Sequence, residues 1–131
     1  PAGLVDAGED VEAAALRELK EETGLTGVVN AQRGCLPLLP MSPGMTDECI
    51  KCVLVDVDLS LPENQNPVQA RADQGRVQVL RVPVKGLLEE LHRRVEQEGV
   101  VVISLLYTFA LALSFGAANV LTNSSTKPSN L

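Results

Sequence analysis

Five charged residues at set spacing could carry chemistry in this chain: Glu9, Arg17, Glu18, Glu21 and Glu22. Residues 10–23 are expected to be helical, because Ala13, Ala14, Ala15, Leu16 and Leu19 are strong helix formers. On such a helix Glu18, Glu21 and Glu22 fall within an arc of roughly 100°, at the i, i+3 and i+4 spacings where side chains meet. Like charges at those spacings repel by roughly a few tenths of a kcal/mol per pair. They also occupy the C-terminal turns, where the helix dipole disfavours anions. A bound divalent cation reverses both penalties, and hard oxygen ligands suit Mg²⁺ or Mn²⁺. The competing reading is an ordinary solvated acidic face. Glycines, Arg17 and Glu9 in register with the acids argue against it.

The elements that must position these residues are legible in part. Gly24 stands where a helix commonly ends in a left-handed residue, and Leu25 supplies the apolar contact that follows. Residues 28–39 continue after a short turn at Thr26 and Gly27. Residues 50–59 alternate, with Val53, Val55, Val57 and Leu59 on one face and Asp56 and Asp58 on the other, which predicts a strand with one wet side. Residues 60–75, rich in proline and amides, read as a loop. Residues 76–84 read as another strand, with a bulge where the apolar phase switches between Val79 and Leu80. Leu87, Leu88, Leu91 and Val95 mark an amphipathic helix ending at Gly99, with Glu89, Glu90, Arg93 and Arg94 on its outer side.

Composition narrows the classes. A chain of 131 residues is one domain with room for a sizeable core. Net charge is −6 and the basic residues are scattered, so no nucleic-acid footprint is present. Cys35, Cys49 and Cys52 form a sparse, odd set that suits a reducing compartment, cytoplasmic or nuclear. Cys49 and Cys52 have the spacing of a redox or zinc pair, but on a strand they face opposite sides, so they read as structural thiols. His92, in a charged helical stretch, reads as a surface residue. Residues 100–118 carry no charge and meet the length criterion for a membrane span. A weak polar stripe (Ser104, Tyr107, Thr108, Ser114) and flanks without basic or aromatic anchors favour a packed helix instead. Residues 120–131 read as a disordered tail following a domain at 1–119.

The string Gly3-x5-Glu9-x7-Arg17-Glu18-Leu19-x-Glu21-Glu22-x-Gly24-Leu25 holds nine positions, four of them acidic. It resembles the Nudix box, the metal-binding loop–helix–loop of hydrolases that split nucleoside diphosphates linked to another moiety. The resemblance extends over roughly residues 1–119 and is strongest to the branch that hydrolyses ADP-ribose and related ADP-sugars. Cys35 through Met45 resembles that branch's loop after the box, with a small insertion near residues 30–34, and residues 107–113 resemble its C-terminal helix. The implied fold is an α/β Nudix-type α/β/α sandwich with a mixed sheet, incomplete at its N-terminus.

The implied reaction is Mg²⁺-dependent attack of water on the diphosphate, with Mn²⁺ as the other candidate, releasing AMP and a sugar phosphate. By the same resemblance Glu18, Glu22 and the Ala2 carbonyl are metal ligands, and Glu21 assists. Arg17 and Glu9 pair to hold the loop, while Gly3, Leu4, Ser42 and Gly44 lie against substrate. The partners implied are a nucleoside diphosphate sugar and a second copy of the chain in a homodimer. Two departures stand out. Gly75 falls where the branch has a catalytic Glu, with Glu63 and Asp73 the nearest acids, and Ser42 replaces an Asp. The branch's aromatic base clamp belongs to a segment preceding Pro1. These departures support an alternative, a catalytically weak paralogue acting as a binding or dimerisation module.

Overall fold

In the computed structural model the described residues are 1–70 and 75–123, with side chains described as far as residue 116. The chain divides into two units, residues 1–79 and 80–131.

The first unit is organised by helix α1, Val11–Thr23. Asp10 caps it, its carboxylate accepting the Glu12 N–H at 3.0 Å, so one of the free first-turn donors is satisfied. Gly24 ends it in the left-handed region at φ 74° and returns its N–H to the Lys20 carbonyl at 2.9 Å. A side chain at Gly24 would also collide with the backbone of Pro67 and Val68. Leu25 follows as a buried residue. The predicted helix and both its ends are therefore observed.

Beyond it the chain runs out through β1 (Val28–Val29) and β2 (Leu39–Pro40), turns, and returns through β3 (Cys49–Ile50) and β4 (Val55–Asp56). Among the described residues all pairing is antiparallel: Val28 with Asp56, Val29 with Val55, Leu39 with Ile50 and Pro40 with Cys49, plus a bridge between Cys35 and Val53. From Val29 to Cys35 the outgoing arm uses six residues where the returning arm uses two, so four residues loop out. This loop falls where the resemblance places an insertion. It closes with the Gly34 N–H on the Asn30 carbonyl and the Asn30 side chain on the N–H groups of Gln32 and Arg33.

The α/β class is as expected. The strands, though, form two separate two-residue ladders rather than one mixed sheet. The loop-out breaks one ladder from the other, and Pro40 has no N–H to extend the second. Val53, Val55 and Val57 are half-buried and Asp56 and Asp58 exposed, so the predicted alternation holds to Asp58, but Leu59, expected on the inner face, is exposed where the chain turns into the loop.

Two expectations change. Residues 76–84 pair with no strand among the described residues and are largely exposed, since alternation without a ladder partner makes no sheet. Within the predicted loop at 60–75 lies a one-turn helix, α2, Pro62–Gln65, with Pro62 at its favoured first position. Its Asn64 is a fully buried polar side chain. The Asn64 carbonyl oxygen accepts from the Thr26 N–H at 2.7 Å and the Thr26 hydroxyl at 3.0 Å. Its amide donates to the carbonyls of Thr26 at 2.9 Å and Asp58 at 2.8 Å. The turn leaving α1 is thereby locked to the loop.

The second unit contains α3, Leu87–Glu98, packed against α4, Ser104–Asn123. Leu91 and Ala110 are its buried residues, while Val95, assigned to the apolar face, is substantially exposed. Gly99 ends α3 at φ 66°, as expected. Glu90 accepts from both Arg93 and Arg94 at 2.7–2.8 Å. The Arg93 hydrogen bonds, with a smaller contribution from Arg94, pull its carboxyl down to about 2. His92 lies on the surface, and its Nε2 is 2.9 Å from the Tyr107 hydroxyl. No helix among the described residues is long and apolar enough to cross a membrane. The predicted tail at 120–131 lies outside the described residues from 124 onward, and α4 runs to Asn123.

Asn64→Ala should cost about 3 kcal/mol, because it strands buried partners on Thr26 and Asp58 while adding no apolar contact. Urea unfolding of the two chains measures this. A loss below about 0.5 kcal/mol, the level of an ordinary surface substitution, would show that Asn64 does not hold the turn.

Candidate active site

Arg17 lies on the side of α1 that faces residues 2–9, and its guanidinium organises the acids around it. Nε and Nη2 donate to the two oxygens of Glu9 at 2.9 and 3.0 Å, a bidentate pair. Nη2 also reaches the Leu4 carbonyl at 3.0 Å. Nη1 donates to Glu18 at 2.7 Å and to Glu21 at 3.3 Å. The loop preceding the helix is therefore fastened to it by one side chain. Glu9 also accepts the Asp6 N–H at 3.1 Å, which closes the loop on itself. The hydrogen bonds from Arg17, and secondarily that from Asp6, hold the Glu9 carboxyl below the usual carboxylate range. Glu9 and then Glu18 raise the Arg17 guanidinium further above its already high value.

Residues 2–4 pass across the same helix face. The Ala2 N–H lies 3.3 Å from Glu22 Oε2. Gly3 is so close to the Glu18 carboxylate that a Cβ there would overlap it. Glycine at this position is what lets the chain approach the acid. Ala2, Gly3, Leu4, Glu9, Arg17, Glu18, Glu21 and Glu22 thus form one constellation.

The constellation stands beside relationships found across most of the chain. Residues 1–99 match the NUDIX domain. An ADP-ribose pyrophosphatase of Saccharomyces cerevisiae is 42% identical over 99 residues, 76% of this chain and 41% of its own length. An ADP-sugar pyrophosphatase of Mus musculus is 34% identical over 113 residues, 86% of this chain and 50% of its own. An uncharacterized Nudix hydrolase of Schizosaccharomyces pombe is 41% identical over 116 residues, 88% of this chain and 55% of its own. The chain belongs to the Nudix family. It spans about half the length of the curated relatives it matches.

Within this Nudix domain, the donor chemistry fits a hard divalent cation. Among the described residues no three Asp, Glu, His or Cys side chains converge as a ready-made cage, because Arg17 engages Glu9, Glu18 and Glu21. Mg²⁺ does not require such a cage: one or two carboxylates suffice when substrate phosphates and waters complete the shell. Glu18 and Glu22, one helical turn apart on α1, are the carboxylates that would hold it.

Ser42 and Gly44 sit apart from the box, in the turn of the hairpin, both exposed. The Ser42 carbonyl accepts from the N–H groups of Met45 and Thr46 within that turn. Gly75 is left-handed at φ 78° with open space around it, a conformation that would cost a Glu there roughly 1–2 kcal/mol. Asp73 lies outside the described residues, and Glu63 is an exposed first-turn residue of α2.

Residues 67–70 were not singled out from the sequence, yet they close the C-terminal end of the box helix. The Ala70 N–H donates to the Glu21 carbonyl at 2.8 Å and the Gln69 amide to the Glu22 carbonyl at 2.6 Å. The available signal was indirect: the last carbonyls of a helix need partners, and the amides nearest in sequence beyond the hairpin are in this loop.

The lowered Glu9 acidity has a defined pH signature. Folding favours its ionised form, so its contribution is present above about pH 4.3 and disappears as pH falls through the lowered native value. Urea midpoints of the parent should therefore exceed those of Glu9→Gln at pH 7 and converge with them in acid. A gap that stays constant from pH 7 to pH 2 would contradict the Glu9–Arg17 pairing.

Proposed function

We propose that this Nudix domain hydrolyses the diphosphate of ADP-ribose and related ADP-sugars, giving AMP and a sugar phosphate, with Mg²⁺ or Mn²⁺ held by Glu18 and Glu22. The observation carrying this reading is the convergence of Glu18, Glu22 and residues 2–3 on one helix face. The activities for which the yeast and mouse relatives are named support the substrate class. Bound cation would neutralise the diphosphate and lower the pKa of the attacking water. Glu18 and Glu22 supply the negative oxygens for it, and the Ala2 carbonyl adds a third donor. Arg17, anchored by Glu9, keeps the loop in register, and Glu21 assists from the exposed rim. Gly3 and Leu4, beside the box acids, and Ser42 and Gly44, in the hairpin turn, are the residues assigned to substrate. The free thiols of Cys35, Cys49 and Cys52 accord with a reducing setting, cytoplasmic or nuclear. The exposed apolar side chains Leu105, Phe109 and Phe115 of α4 accord with a homodimer.

One observation favours a second reading, a catalytically weak binding or dimerisation module: left-handed Gly75 stands in place of the late-loop Glu. Loss of a general base typically costs about 10²–10⁴-fold in rate.

Glu22→Gln should abolish Mg²⁺ and Mn²⁺ binding by calorimetry without changing helix content, and should bring AMP release from ADP-ribose to the blank. Metal affinity equal to the parent's would remove Glu22 from the site. Metal binding by the parent without Mg²⁺-dependent AMP release would select the second reading.

A further inference from the structure

We infer that Gln69 is a positioning residue for Glu22, holding the last turn of the box helix through its side-chain amide. The inference rests on the reading that Glu22 is a cation ligand, and it concerns what keeps that ligand in place.

The need arises from where Glu22 lies. It is the penultimate residue of α1, in the turn whose carbonyls have no partners further along the helix and which frays first. A ligand on a fraying turn samples many positions relative to Glu18, one turn back, and a cation needs both carboxylates at once. Here the carbonyls from Leu19 to Glu22 are engaged. Leu19 accepts from the Thr23 hydroxyl at 2.6 Å, and Lys20 from the Gly24 N–H at 2.9 Å. Glu21 accepts from the Ala70 N–H at 2.8 Å, and Glu22 from Gln69 Nε2 at 2.6 Å. The first two donors belong to the helix end itself, and the third is a backbone group. Gln69 is the side chain brought from a distant segment, and its partner is the carbonyl of the proposed ligand itself.

The same Nε2 also donates to the Val77 carbonyl at 3.0 Å. An amide NH₂ has two hydrogens, enough to serve both carbonyls. The two bonds fix the amide plane, so the donor is pre-oriented toward Glu22. Contact between Gly24 and the backbone of Pro67 and Val68 sets the segment's distance from the helix. Gln69 therefore acts on the metal through the backbone of Glu22 and not by contact with it. Outer partners of this kind commonly change metal affinity by about 10–100-fold.

The test compares Mg²⁺ and Mn²⁺ affinity, by calorimetry on the whole 131-residue chain, in four proteins: parent, Gln69→Met, Gln69→Lys and Gln65→Met. Methionine keeps the length and removes the donor. Lysine keeps N–H donors at similar reach. Gln65 is an amide from the same loop whose side chain bonds the Ser60 carbonyl, away from the box. Gln69→Met should weaken metal binding about tenfold or more, with Gln69→Lys within about threefold of the parent and Gln65→Met unchanged. Affinity kept by a folded Gln69→Met overturns the inference. So does a loss in Gln69→Lys as large as that in Gln69→Met, and this comparison survives if the methionine variant does not fold. A parent that binds neither cation would instead overturn the assignment of Glu22 as a ligand, and this inference with it.

Discussion

The site depends on a single constraint: one guanidinium must satisfy acids drawn from two parts of the chain. Arg17 cannot release its charge at any physiological pH, so the loop carrying Glu9 and the helix carrying Glu18 and Glu21 are drawn to the same point. Its fork geometry makes the Glu9 contact bidentate and therefore directional. The further bond to the Leu4 carbonyl carries that direction into residues 2–4. What looks like an acidic cluster is an arrangement in which one cation organises the chain and leaves Glu22 outside its reach. A lysine would hold the charge but not the plane.

The opposite end of the helix is governed by hydrogen-bond satisfaction rather than charge. Gly24 turns the chain away, and the segment at 67–70 moves into the space a side chain would have filled. Asn64 secures the exit at Thr26 from the other side. Loop residues far apart in sequence thus complete what the helix cannot supply for itself. The box helix is short, 13 residues, and at that length it is marginal without such tertiary support.

How much of this was legible in the sequence varies by the kind of signal. Asp10, read as the first helical residue, proves to be the cap of α1, whereas the end of α1 at Gly24 and the end of α3 at Gly99 follow from local chemistry that acts within a few residues, and they were readable. So was the alternation of Val53, Val55 and Val57, because burial imposes a period of two on a strand. Residues 76–84 carry the same period without a ladder, since alternation reports compatibility with a strand and not the presence of a partner. Asn64 was invisible for a different reason. A buried amide in a polar loop looks like any solvated one until its four bonds are seen. The coupling of Gln69 to Glu22 spans 47 residues, and no local pattern announces a contact of that range. The acids of the box were legible as a group; their division, with Glu18 and Glu21 on Arg17 and Glu22 on the Ala2 N–H, was not.

The loop at 30–34 carries a consequence for how chain length can vary. On either side of them Val29, Cys35, Val53 and Val55 are all half-buried, so the inward and outward faces of the hairpin stay in phase across the interruption. A strand normally tolerates no such addition, because a one-residue slip inverts every side chain beyond it. Here Asn30 and Gly34 both bond Leu54 on the returning arm, at 2.8 and 3.0 Å, and only the residues between them stand out of the ladder, so the returning arm keeps count. Length is therefore best varied at the exposed tip, residues 31–33, which makes that tip a natural place to graft a reporter peptide while Asn30 and Gly34 keep their bonds to Leu54.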